Sequence, residues 1–186
     1  MKKLLTLGIL PLIFLTHNLS FAQPKNSSAK LETTSANLLI ISLQLDESAN
    51  KLYIIKDNLV KIVQTNSGNI NIQNYIMNVV SELKHIATIA YFESKLLGAV
   101  LFVREKFELP FVNARIPELN ESIRTTNSSL QPLQVAYSRI KNKEALQQID
   151  KAQGILQSLN QLYVTGIETL KIISMKRGEG AKKTKP

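Results

Sequence analysis

Few side chains in this chain are spaced for chemistry, and the strongest set is Glu82-Leu83-Lys84-His85. A glutamate and a histidine three apart share one face of a helix, which is the unit that di-iron carboxylate bundles use in each half of their metal site. Such a site needs the unit twice, and His17 is the only other histidine. The pair is therefore expected as solvated side chains flanking the apolar Leu83 and Ile86. Haem held between methionine and histidine fails on distance. Met77 precedes His85 on the same helix, and Met175 falls about 25 Å from the level of His85 at 1.5 Å per residue. Paired carboxylates such as Glu82 with Glu93, or Glu118 with Glu121, are expected in solvent. The absence of cysteine excludes thiol catalysis, thiolate metal sites, covalent haem and disulfide staples. Without a second usable histidine, a serine elbow or a glycine-rich phosphate loop, the expectation is a non-enzymatic protein with no cofactor and no metal.

The first residues bear on address rather than chemistry. Lys2 and Lys3 precede an apolar run over residues 4–15, and Ser20-Phe21-Ala22 places small residues where a signal peptidase reads. That run is too short to span a hydrocarbon layer of about 30 Å as a helix. The pattern predicts a cleavable signal over 1–22, cut near Ala22, and a periplasmic or secreted protein of bacterial type. The remaining 164 residues fit one domain. Its expected divisions are a disordered polar leader over 23–33, a helical bundle over 34–176 and a disordered basic tail over 177–186.

The net charge of +9 resides mostly at the ends. Between Ser35 and Met175 there are 14 basic and 12 acidic residues, so the expected folded part is nearly neutral. The lysine-rich tail lacks interleaved aromatics, and with the secretory address this argues against nucleic acid. A weak contact of the tail with anionic envelope surfaces is the functional alternative to a merely solubilising end.

The elements that would position any site read as helices. Apolar residues at 38, 41, 45, 52, 55, 59 and 62 form a seven-residue repeat broken at Ser48, predicting a helix over 34–65. Thr65 to Asn69 supplies a stop. A second seam through Ile72, Ile76, Val79, Leu83, Ile86, Ala90, Leu97 and Val100 predicts a helix over 70–108, with Glu93 and Arg104 as polar exceptions and Pro110 as its end. After a link over 109–116, Pro117 opens a third helix through Leu119, Ile123, Leu130, Leu133, Tyr137 and Ile140, with a break over 125–132 as an alternative. The phase resets near Asn142. A fourth seam then runs through Ala145, Ile149, Ala152, Leu156, Leu159, Tyr163, Leu170 and Ile173 and stops before Gly178. The expected architecture is all-α, an elongated antiparallel up-down-up-down four-helix bundle.

Helix 1 carries more apolar residues than one seam needs. Leu39, Ile40, Leu43, Tyr53, Ile54 and Val60 lie off the seam and are the expected partner-binding residues, through which the protein would dock another protein or a second copy of itself. Binding other proteins is the expected function, as a scaffold or accessory part of a cell-envelope assembly or as a chaperone-like holder. Two alternatives remain. One is a small-molecule-sensing bundle with its ligand between helices near the aromatics from Tyr91 to Phe111. The other is a membrane-active effector using the apolar residues 96–103, which are expected otherwise as a thick end of the core.

Overall fold

The seven-residue spacing is realised as four long helices in a computed structural model. It describes residues 27–65, 70–103 and 105–183, with side chains over 34–65, 70–103 and 108–176. The helices are α1 (Ser27–Thr65), α2 (Ile70–Ala99), α3 (Glu105–Arg139) and α4 (Lys143–Lys183), and a single 3-10 turn, Val100–Phe102, leads from α2 toward α3. The architecture is an all-α four-helix bundle. The signal expected over 1–22 lies outside the described residues.

Cross-helix hydrogen bonds give the directions of the helices. Ser42 Oγ donates to the Ser94 carbonyl at 2.8 Å and Tyr53 Oη lies 3.0 Å from Thr88 Oγ1, so α1 and α2 run antiparallel. Ser122 meets Glu93 and Ser129 meets Glu82, which sets α3 antiparallel to α2. Asn113 with Ser174 and Asn127 with Asn160 do the same for α3 and α4. Thr34 with Lys176 and Asn58 with Gln148 close the ring between α1 and α4.

On α1 the seam is buried from Leu38 to Ile62, and Ala49 rather than Ser48 fills the gap in the repeat. Ser48 turns its hydroxyl back to the Gln44 carbonyl at 2.8 Å. On α4 every expected seam residue from Ala145 to Ile173 is buried. Each fully buried leucine or isoleucine contributes about 1.5–3 kcal/mol, so these two seams supply a large share of the cohesion of the bundle. The phase reset at Asn142 is a helix cap. Its Oδ1 accepts the Ala145 N–H at 2.9 Å, a bond worth about 1 kcal/mol.

The second and third helices depart from expectation at their junction. α2 ends at Ala99, the turn closes at an extended Val103 (φ −72°, ψ 133°), and α3 begins at Glu105 and runs through Pro110 and Pro117. Neither proline ends or opens a helix. Pro110 is the sixth residue of α3, and each proline removes one N–H, leaving the carbonyl four residues earlier unpaired. For Pro117 and Pro132 those carbonyls belong to Asn113 and Ser128, both exposed residues. α3 also has no break over 125–132. Hydroxyls of Thr125, Thr126 and Ser128 bond back to carbonyls of their own helix there instead of capping a new one.

The seam of α3 is also more polar than expected. Ser122, Thr126 and Ser129 are buried, whereas Ile123 and Leu130 are half-buried and Tyr137 is exposed. At the ends, α1 starts at Ser27 and α4 continues to Lys183, so helical backbone extends into residues expected outside the bundle. Good helix formers such as Ala29, Leu31, Glu32, Ala181 and Lys182 favour both extensions.

Candidate functional site

Outward residues of α1 were the expected contact, and the structure divides them. Leu39, Ile40, Leu43 and Ile54 are 44, 52, 61 and 60% exposed. Tyr53 and Val60 instead lie half-buried against the core, with Tyr53 bonded to Thr88 on α2. Leu39, Ile40 and Leu43 share the first part of α1. Ile54 stands 11 residues beyond Leu43, about 16 Å at 1.5 Å per residue. The charged Glu47 and Lys51, ion-paired at 2.7 Å, separate the two groups.

Ile54 belongs to a groove between α1 and α4 of about 400 Å³, lined by Lys51, Ile54, Ile55, Asn58, Gln148, Lys151, Gly154, Ile155 and Ser158. Its apolar floor is Ile54, Ile55 and Ile155. The side-chain amide of Asn58 donates to Gln148 Oε1 at 3.4 Å and bounds one end. Gly154 is the unexpected member. A Cβ built there would meet nothing within 4 Å. A glycine inside a helix costs about 1 kcal/mol relative to alanine, and packing inside the bundle gives no return for it here. Gly166, three turns later on the same helix, is different, because an added Cβ would approach Leu119 Cδ1 to 3.3 Å.

Near Gly166 the interior holds a polar cluster. Glu93 of α2 is only 7% exposed and accepts a bond from Ser122 Oγ at 3.0 Å, while its Oε2 is buried without a partner. Tyr163 of α4 is fully buried and its hydroxyl is likewise unpartnered, as is Nε of Arg115, whose guanidinium pairs with Glu118 and stacks on Phe111. Burial raises the Glu93 carboxyl above its ordinary value, opposed by the Ser122 bond and by Arg115. Burial, with Glu93 nearby, also pushes the Tyr163 phenol well up. Glu93 was expected in solvent. The signal that places it inside is its position on the α2 seam between Ala90 and Leu97.

The other candidates are dispersed. Glu82 Oε2 accepts from Ser129 at 2.7 Å, and His85 is exposed. Among the described residues no group of three histidine, aspartate or glutamate side chains is placed to hold a metal ion. Among the described side chains the aromatics from Tyr91 to Phe111 divide: Phe111 packs half-buried against the core, whereas the others lie outward. Tyr91 and Phe92 meet edge to face on the surface, and Phe102 is 86% exposed. Leu97 and Val100 enter the core, so residues 96–103 form a thick end only in part. The stretch Ile70–Phe102 is long and apolar enough to cross a membrane, and in the bundle one seam of it, through Ile76, Val79, Leu83, Ile86, Ala90, Leu97 and Val100, faces the interior. At the outer edge of α2, Lys95 bonds Asp46 at 2.9 Å, which holds its ammonium pKa above the ordinary value.

Comparison of the chain with protein-family models, with curated proteins and with solved structures found no match in any of the three.

Proposed function

We propose that this protein is an exported, non-enzymatic bundle that works by binding other proteins, as a scaffold or accessory part of a cell-envelope assembly or as a chaperone-like holder. The observation that carries this reading is the exposure of Leu39, Ile40, Leu43 and Ile54 on a helix whose core seam is already complete. Large apolar side chains clustered on a surface are the usual material of a protein contact. The signal-like start supports export. The basic residues beyond Met175 would add a weak, salt-sensitive attraction to anionic envelope surfaces.

Leu43→Glu combined with Ile54→Glu tests the contact. Both positions are exposed, so stability should change by no more than about 0.5 kcal/mol. Light scattering across a concentration series and capture from an envelope extract should then show loss of self-association or of a partner. A variant that folds and keeps both properties refutes the assignment of the contact to α1.

A further inference from the structure

The groove between α1 and α4 has features that a protein contact does not require. Its floor is apolar, from Ile54, Ile55 and Ile155, and two cations, Lys51 and Lys151, stand beside it. Lys51 is paired with Glu47, while Lys151 has no ionic or hydrogen-bonded partner among the described residues. Gly154 lowers the wall at a cost to the helix that no internal contact explains. An apolar trough with an uncommitted cation beside it is complementary to a molecule with a hydrocarbon chain and one negative head.

Size separates the possible occupants. Small-molecule sites measure about 300–1,000 Å³, and this groove of about 400 Å³ falls within that range. A stable protein interface buries about 1,200–2,000 Å² in total, more than a groove extending about 15 Å along α4 offers. A second copy seated in a self-complementary way would oppose lysines to lysines. We propose that the groove binds a single-chain anionic amphiphile, its chain along Ile54, Ile55 and Ile155 and its carboxylate at Lys151. This site is independent of Leu39, Ile40 and Leu43, although it shares Ile54 with the proposed protein contact.

The test is titration of the purified protein with laurate below its micelle concentration, followed by backbone amide shifts and calorimetry. Dodecyltrimethylammonium and phosphatidylglycerol vesicles serve as comparators. Laurate should bind saturably, with the largest shifts at Ile54, Lys151 and Gly154, and the cationic amphiphile should bind at least about tenfold more weakly. Gly154→Leu, which enters open space and should preserve helicity, should weaken laurate by about tenfold, and Lys151→Glu should do so by about fivefold or more. Leu43→Glu should leave laurate binding unchanged whether or not it abolishes protein binding, which separates the two readings. The proposal is overturned by absence of saturable binding, equal binding of the cationic chain, retained affinity in Gly154→Leu, shifts centred on Phe102, or binding to vesicles without binding to free laurate.

Discussion

Within one helix, α4 presents two stretches of opposite construction. Over residues 151–158 its outward side chains line, with α1, an apolar trough open to solvent, at a glycine where an added Cβ would meet nothing within 4 Å. Over residues 163–170 it closes on α2 and α3, with Gly166 against Leu119 and Tyr163 buried near the Glu93 carboxylate. The open stretch sets Ile155 beside Ile54 and Ile55 in that trough, while its Ala152 and Leu156 stay in the core. The closed stretch keeps polar groups inside, where an unpaired atom costs about 1–3 kcal/mol. The trough side chains and the buried polar cluster thus lie on different turns of the same helix, so substitutions of the outward residues in one stretch should leave the other largely intact.

Removing the side chain of Tyr163 gives the largest expected effect. Tyr163→Ala leaves a cavity among fully buried leucines and should cost about 3–5 kcal/mol in chemical unfolding. Tyr163→Phe should be close to neutral, because the hydroxyl it removes has no partner. A large loss from Tyr163→Phe would show that the hydroxyl is bonded in solution and that the closed stretch is better satisfied than its geometry indicates.

The two glycines sharpen the contrast at an intermediate scale. Gly166→Leu must displace Leu119 and should destabilise by about 1–3 kcal/mol. Gly154→Leu gains helix propensity without a clash and should be neutral or stabilising by up to about 1 kcal/mol. Equal costs at the two positions, measured by thermal unfolding, would mean that α1 and α4 close over the trough in solution.

The legible part of this fold was the part built on repetition. The α4 seam from Ala145 to Ile173 and the α1 seam from Leu38 to Ile62 follow from spacing alone, because apolar residues there recur on one helical face. The junction of α2 and α3 was not legible, since proline is a strong stop in isolation and yet Pro110 and Pro117 lie inside a helix, as its sixth and thirteenth residues. Hydroxyl residues also mislead. Ser122, Thr126 and Ser129 were passed over for Ile123, Leu130 and Tyr137, but α2 offers the Glu82 and Glu93 carboxylates opposite Ser129 and Ser122. Of the expected contact residues, the four without a neighbouring helix to cover them remain exposed, while Tyr53 finds Thr88 and Val60 packs against the core. The trough at Gly154 depends on the spacing between two helices, which no single-chain pattern encodes.

Glu93→Gln gives the smallest effect and tests the closed stretch through pH. Ser122, Arg115 and Glu118 from α3 and Tyr163 from α4 act on this carboxyl, and desolvation outweighs their balance and raises its pKa. The folded protein therefore keeps the Glu93 proton to a higher pH than the unfolded chain does. The resulting linkage favours the folded state most below the ordinary carboxylate pKa, and stability declines as pH rises from there through the raised value. Glutamine at this position cannot titrate. The stability of Glu93→Gln relative to the natural chain should therefore increase with pH across that window and then level off, by an amount on the order of 1 kcal/mol, comparable to one poorly satisfied buried group. Because other carboxylates titrate in both proteins, the quantity to measure is the difference between their unfolding free energies at several pH values. A difference that does not change with pH would place Glu93 in contact with water, and the closed stretch would then differ from the open one in packing alone.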